Sequence, residues 1–173
     1  KGVQAIEANH GNKKNQNIYM DTCIMKTELF ISLVKEAKKL SSMYTLTDVI
    51  NDKCETLDIR GVAHKGFFAS VTDFPSYYKA NMDLLNYKAA QELFHEDWPI
   101  YTRTNDSCPT QYFDSAEVKN SVISNGCQIE GTVENSVIGR GCVIKKGAVV
   151  RNSVVLAEVT VGENVHVENE VVD

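Results

Sequence analysis

Between Val118 and Val171 short apolar residues return about every six positions, and this register limits what the chain can fold into more than any other feature. The series runs Val118, Ile123, Ile129, Val133, Ile138, Ile144, Val150, Val155, Val161 and Val167. Four residues after most of these stands a small apolar residue: Val122, Cys127, Cys142, Ala148, Val154, Val159, Val165 or Val171. A hexapeptide register of this length points to a parallel β-helix. Each side of a prism is then one short strand, three sides close a coil, and coils stack at the strand spacing of about 4.8 Å.

A longer repeat runs through the same tract: Asn120-Ser121-Val122-Ile123, Asn135-Ser136-Val137-Ile138 and Asn152-Ser153-Val154-Val155. Each copy lies on a side one residue short of six, because 118 to 123, 133 to 138 and 150 to 155 are steps of five. The short side therefore comes once per coil, and about three coils are expected. Stacking puts Asn120, Asn135 and Asn152 in one column and Lys119, Glu134 and Arg151 in the next, where the sign alternates as it should between cross-strand neighbours.

A chain of 173 residues, 43% of them hydrophobic, can bury a core in one domain or two small ones. The net charge of −5 supplies no basic stripe for nucleic acid. No apolar run approaches membrane-spanning length and no signal-peptide pattern opens the chain, so a cytoplasmic protein without a membrane partner is expected. Cysteines at 23, 54, 108, 127 and 142 form no CxxC pair and leave an odd number, which fits a reducing compartment. Cys127 and Cys142 fall at the same inward position of successive coils, within disulfide range by distance alone. Two buried thiols filling a narrow prism is the plainer reading.

Upstream, residues 10–17 read as a solvated loop and Ile18 to Met25 as a strand. Thr27 is the expected N-cap of a helix to about Leu40 with Phe30, Leu33, Val34 and Ala37 on one face. A short helix near Thr47-Asp48 carries Val49 and Ile50. Strands are expected at Leu57–Val62 and Gly66–Val71. Asp73 caps a helix with Pro75 in its first turn, continuing past a break near Asn86 to Leu93-Phe94. Tyr77 and Tyr78 read as core, and Trp98 as the residue holding the following linker against the α/β portion. Three or four strands with three helices leave sheet edges uncovered, and the sequence opens on Lys1 rather than Met. The expectation is the tail of a larger α/β domain whose other strands precede it.

Two stretches carry a family resemblance: Ser76-Tyr77-Tyr78-Lys79-Ala80-Asn81-Met82-Asp83-Leu84-Leu85, and Asp97-Trp98-Pro99-Ile100-Tyr101-Thr102 ahead of hexapeptide coils. Together they resemble the C-terminal half of bacterial ADP-glucose pyrophosphorylase (glucose-1-phosphate adenylyltransferase), from about Ile18 onward. The resemblance implies an α/β remnant of a nucleotidyltransferase (Rossmann-like) domain over residues 1–103, a linker at 104–111 and a left-handed parallel β-helix over 112–173. It also implies Mg²⁺-assisted attack of a sugar phosphate on ATP. The family's glycine-rich nucleotide loop and Phe-x-Glu-Lys-Pro motif are absent here, so this chain carries no cofactor site of its own.

The departures from the family pattern point the other way from catalysis. Where catalytic members read Tyr-Trp-Arg-Asp-Val-Gly-Thr, this chain reads Phe67-Phe68-Ala69-Ser70-Val71-Thr72-Asp73, so the metal-binding aspartate maps to Ser70. Where they carry Ser-Met-Gly at the sugar, this chain has Tyr19-Met20-Asp21, a phenol and a carboxylate that crowd the pocket and repel phosphate. The pattern resembles a non-catalytic regulatory subunit. The implied partner is a catalytic subunit or a second copy, in a tetramer, with a phosphorylated small molecule as effector.

Arg140, Lys145, Lys146 and Arg151 are the candidate anion-binding residues. In the coil register Lys145 falls beside Glu130, Lys146 beside Glu163 and Arg151 beside Glu134, and a mutually neutralising solvated ladder is the preferred reading. His10, His64, His95 and His166 lack partners at metal-ligand spacing, and no metal site is expected. Two alternatives stay open: an active adenylyltransferase, and a hexapeptide acyltransferase using a histidine base, for which His166 is the one histidine in the tract.

Overall fold

The hexapeptide register is realised as a stack of short parallel strands, in a computed structural model that describes residues 2–7, 17–101 and 106–173. Strands β1 (Gln111–Tyr112), β4 (Gln128–Ile129), β7 (Val143–Ile144) and β10 (Thr160–Val161) form one sheet. A second is β2 (Glu117–Lys119), β5 (Thr132–Glu134), β8 (Val149–Arg151) and β11 (His166–Glu168). The third is β3 (Val122–Ile123), β6 (Val137–Ile138), β9 (Val154–Val155) and β12 (Val171–Val172). Each sheet is one face of a prism, and every coil contributes one strand to each. The result is four coils where the sequence leads one to expect about three. The additional coil starts at β1, where Tyr112 pairs with Ile129, and an aromatic at that position does not extend the small-aliphatic series.

The Asn-Ser repeat builds one corner of the prism. Asn120, Asn135, Asn152 and also Asn169 take φ values of 44, 46, 45 and 57°, the left-handed region that asparagine tolerates better than other side chains. Behind each asparagine a serine turns inward. Ser121 Oγ donates to Lys119 O (2.8 Å) and accepts from Ser136 N (3.1 Å). Ser136 Oγ donates to Glu134 O (2.7 Å) and accepts from Ser153 N (3.1 Å). Ser153 Oγ donates to Arg151 O (2.6 Å) and accepts from Glu170 N (3.2 Å). Ser136 and Ser153 are fully buried, and each hydroxyl meets both a donor and an acceptor inside the wall, as burial of a polar group requires.

This corner corrects one part of the sequence reading. On the five-residue side the inward small position is the serine, three residues after the preceding aliphatic, and Val122, Val137, Val154 and Val171 point outward. The aliphatic series itself is the core: Ile129, Val133, Ile138, Ile144, Val150, Val155 and Val161 pack with Cys127, Cys142 and Ala148, and Ile123 and Val167 lie against them. Cys127 and Cys142 are free thiols donating to Gly139 O (3.0 Å) and Leu156 O (2.9 Å), and burial pushes the Cys142 thiol up. The Lys119, Glu134, Arg151 column forms as expected and extends to Glu168. Glu134 lies 3.3 Å from Lys119 Nζ and 3.4 Å from Arg151 Nε.

The chain divides into two compact units, Lys1–His64 and Lys65–Asp173. The first contains α1 (Thr27–Leu40) and α2 (Leu46–Asp52), whose Leu33, Ala37, Val49 and Ile50 form its core with Ile6, Leu29 and Ile59. Lys26, not Thr27, is the N-cap of α1, without a side-chain bond. Helix α2 starts one residue before the expected Thr47-Asp48, on a capping box between Thr45 and Asp48. The second unit contains α3 (Phe74–Asp83) and α4 (Tyr87–Leu93) along with the coils. Asp73 caps α3, Pro75 sits in its first turn and Asn86 caps α4, as the sequence indicates.

The strands expected at 18–25, 57–62 and 66–71 do not form. Among the described residues before β1 the pairing is confined to isolated bridges, Gly2 with Arg60 and His95 with Trp98. A β-propensity without a neighbouring ladder leaves backbone groups to water, and the apolar side chains of Ile24, Val62 and Val71 are exposed. Trp98 is 82% exposed, so it does not hold the linker as expected. His10, most of the 10–17 loop and residues 102–105 lie outside the described residues. No helix among the described residues is long and apolar enough to cross a membrane.

Two substitutions test this wall. A Cβ at Gly131 would stand 2.4 Å from Ala148 O and 2.8 Å from Lys145 O, both backbone, so Gly131→Ala is expected to destabilise the coils by about 1–3 kcal/mol in urea unfolding. Ser153→Ala leaves Glu170 N without its acceptor and should lose about 1–3 kcal/mol in the same measurement.

Candidate functional site

The stretches Tyr19–Asp21 and Ala69–Ser70 fall in different compact units. In the first, Asp21 takes φ 50°, and its carboxylate accepts a hydrogen bond from the Thr47 hydroxyl (Oγ1 to Oδ1, 3.1 Å) in the first turn of α2. Thr22 Oγ1 donates to Met20 O at 3.1 Å, closing the turn around Asp21. Partial burial, with Cys23 and Asp21 beside it, pushes the Tyr19 phenol up, so Tyr19 stays protonated at neutral pH.

In the second stretch Ala69 and Ser70 lie exposed on extended chain leading to α3. The carboxylate next in sequence, Asp73, is taken up by the helix. Its Oδ1 accepts from Ser76 N at 2.8 Å, while Ser76 Oγ accepts from Thr72 N and Asp73 N, both at 3.0 Å, and donates to Asp73 O at 2.9 Å. The hydroxyl of Ser76, and then its backbone N–H, hold the Asp73 carboxyl below the usual aspartate range.

Helix α3 sits on the coils. It packs against β9, where the outward Val154 is only 2% exposed, while Val122 in the same column is 47% exposed. Beside it the Tyr78 hydroxyl donates to Asn152 O at 2.5 Å. Tyr78 therefore does more than fill a core, and the sequence signal for its docking surface is the outward valine beside each inward serine.

The four cations do not converge. Arg140 lies at the corner between the β6 and β7 faces, Lys145 and Lys146 at the corner between β7 and β8, and Arg151 at the end of β8. The β4–β7 register continues to set Lys145 opposite Glu130. Lys146 borders an open groove with Ser115, Glu130 and Glu163. The groove arises because the second coil turns this corner two residues early: Ile129 to Val133 is a step of four, where the coils above take six. His166 is exposed on β11, opposite Val149.

Residues 109–173 match the family model described as GlmU-like, C-terminal hexapeptide, which identifies the solenoid as the left-handed hexapeptide type. The chain is 36% identical over 131 residues to the glycogen biosynthesis protein GlgD of Geobacillus stearothermophilus, covering 76% of this chain and 38% of that one. It is 33% identical over 141 residues to the glucose-1-phosphate adenylyltransferase of Fervidobacterium nodosum, covering 81% and 34%. GlgD of Bacillus subtilis is 28% identical over 146 residues, covering 84% and 41%. The chain belongs to the C-terminal region of the glucose-1-phosphate adenylyltransferase and GlgD family. It spans about a third to two fifths of the length of these relatives.

Within this chain the carboxylates in and near Tyr19–Asp21 and Ala69–Ser70 serve local structure. Asp21 accepts from Thr47, and Asp73 and Asp48 close capping boxes. Ser70 offers a neutral hydroxyl, and a divalent ion held by one or two carboxylates does not fit that donor set. Among the described residues no three His, Cys, Asp or Glu side chains gather within reach of one ion.

Both capping aspartates have depressed pKa values, Asp48 chiefly through the Thr45 hydroxyl and Asp73 chiefly through that of Ser76. A depressed folded-state pKa gives stability that is present above the unfolded value, about 3.9, and lost as pH falls through the folded one. Helical circular dichroism should therefore decline on acidification below about pH 4, starting from the first turns of α2 and α3. Asp73→Asn should remove the α3 share of that acid dependence, read by amide exchange across 74–83.

Proposed function

We propose that this chain is the C-terminal part of a regulatory and assembly subunit of the glucose-1-phosphate adenylyltransferase type. It acts in cytoplasmic glycogen biosynthesis beside a catalytic subunit that converts ATP and glucose 1-phosphate to ADP-glucose and diphosphate. The observation that carries this reading is the pairing of Ser70 with Asp73. The position that the resemblance assigns to a metal-binding aspartate holds a hydroxyl, and the carboxylate three residues on caps α3. Tyr19 and Asp21 agree: an uncharged phenol and a carboxylate stand where the resemblance places the sugar. Similarity to two GlgD proteins, named for glycogen biosynthesis, supports the same reading.

The β-helix then serves oligomer contacts, with a catalytic subunit or a second copy, in a tetramer. Dispersal of Arg140, Lys145, Lys146 and Arg151 over separate corners, with Arg151 beside Glu134, favours the solvated charge ladder over one anion site on the coils. A phosphorylated effector, where it acts, is read elsewhere in the assembly.

ADP-glucose formation by the full-length protein, alone and mixed with its catalytic partner, is the test. Alone it should form no ADP-glucose above background, and mixing should change the partner's rate or effector response severalfold. Turnover by the lone subunit that falls when Tyr19 or Asp21 is replaced would overturn the proposal.

A further inference from the structure

The geometry points to a mechanical latch: we infer that the Tyr78 hydroxyl, bonded to the main chain of the third coil, ties the segment 69–73 to the β-helix. Tyr78 is thereby a positioning residue that sets where α3, and the chain leading into it, lies on the third coil. Three observations carry this. The bond joins residues 74 apart in sequence, from α3 to Asn152 O at 2.5 Å. Asn152 N already donates to Glu134 O (3.1 Å), so this residue is fixed to the second coil through its N–H and holds the helix through its carbonyl. Asn152 also occupies a left-handed corner, φ 45°, shared in kind with Asn120, Asn135 and Asn169, so the acceptor belongs to a feature repeated from coil to coil.

The helix is a short, stiff arm. Tyr78 lies five positions after Asp73, about 7.5 Å along the axis. The capping box at Asp73 and Ser76 welds the chain at 72–73 to the first turn, and Ser70 lies two residues farther. Val154, buried at the outer face of β9, seats the helix, and the Tyr78 bond fixes its position along the coil. Residues 65–101 fall in one compact unit with the coils, as such an arm requires.

The functional weight of the latch rests on the reading of Ser70 given above, but its measurement does not. ADP-glucose formation tests that reading, and hydrogen exchange tests the latch. In the full chain, Tyr78→Phe removes the hydroxyl with the ring kept. Amides of 72–83 should then exchange roughly fivefold faster, with those of β4 to β10 unchanged, because one hydrogen bond is lost from a local opening. Val154→Ala should loosen the same helix amides without opening β4 or β7. Unchanged exchange across 72–83 in Tyr78→Phe overturns the latch. So does equal acceleration in helix and coils, which would make Tyr78 a packing residue of the solenoid.

Discussion

Everything in the second unit depends on how one coil bonds to the next. A solenoid side only two or three residues long gains little from each strand alone, and the wall stands because the inter-coil hydrogen bonds are continuous around its corners. The serine column achieves this where the backbone cannot. At the Asn corner the chain turns through the left-handed region, and the hydroxyl of Ser121, Ser136 or Ser153 links one coil to the N–H of the next while closing its own turn. The apolar core and the Lys119–Glu134–Arg151–Glu168 ladder follow from the stacking that this column keeps in register.

Much of that was legible in the residues. The aliphatic series named the buried core almost residue by residue, and the steps of five marked the corner that recurs once per coil. Two things were not. The first coil hid behind Tyr112, because an aromatic there pairs with Ile129 without continuing the small-aliphatic pattern. The side of Val122, Val154 and Val171 was misassigned, since one missing residue on a strand of period two exchanges inside for outside. Ahead of the coils, cap chemistry at Asp73 and Asn86 was readable because it is local. The strands at 18–25, 57–62 and 66–71 were not, because a strand exists only with its neighbour and sequence propensity carries no information about whether one is there.

The candidate site was legible only as a departure. Composition and periodicity say nothing of Ser70 or Asp21, and both acquire meaning only through the pattern that the family resemblance implies. The structure adds where the nearby carboxylates went. An aspartate that accepts from a helix N-terminus is held ionised and pointed at backbone, so capping and metal binding compete for the same oxygens. In Asp73 the cap has won, as the geometry of its box with Ser76 demands.

The second coil reaches its next face two residues sooner than the coils that follow, so consecutive asparagine corners stand 15 residues apart there and 17 above. That difference is absorbed wholly at the joint where Gly131 lies against Ala148, while the other two joints repeat without change. One seam of the prism is thus a place where length can vary between coils with no shift of strand pairing. Insertions along it would decorate the outside of the solenoid and leave its inner packing as it stands.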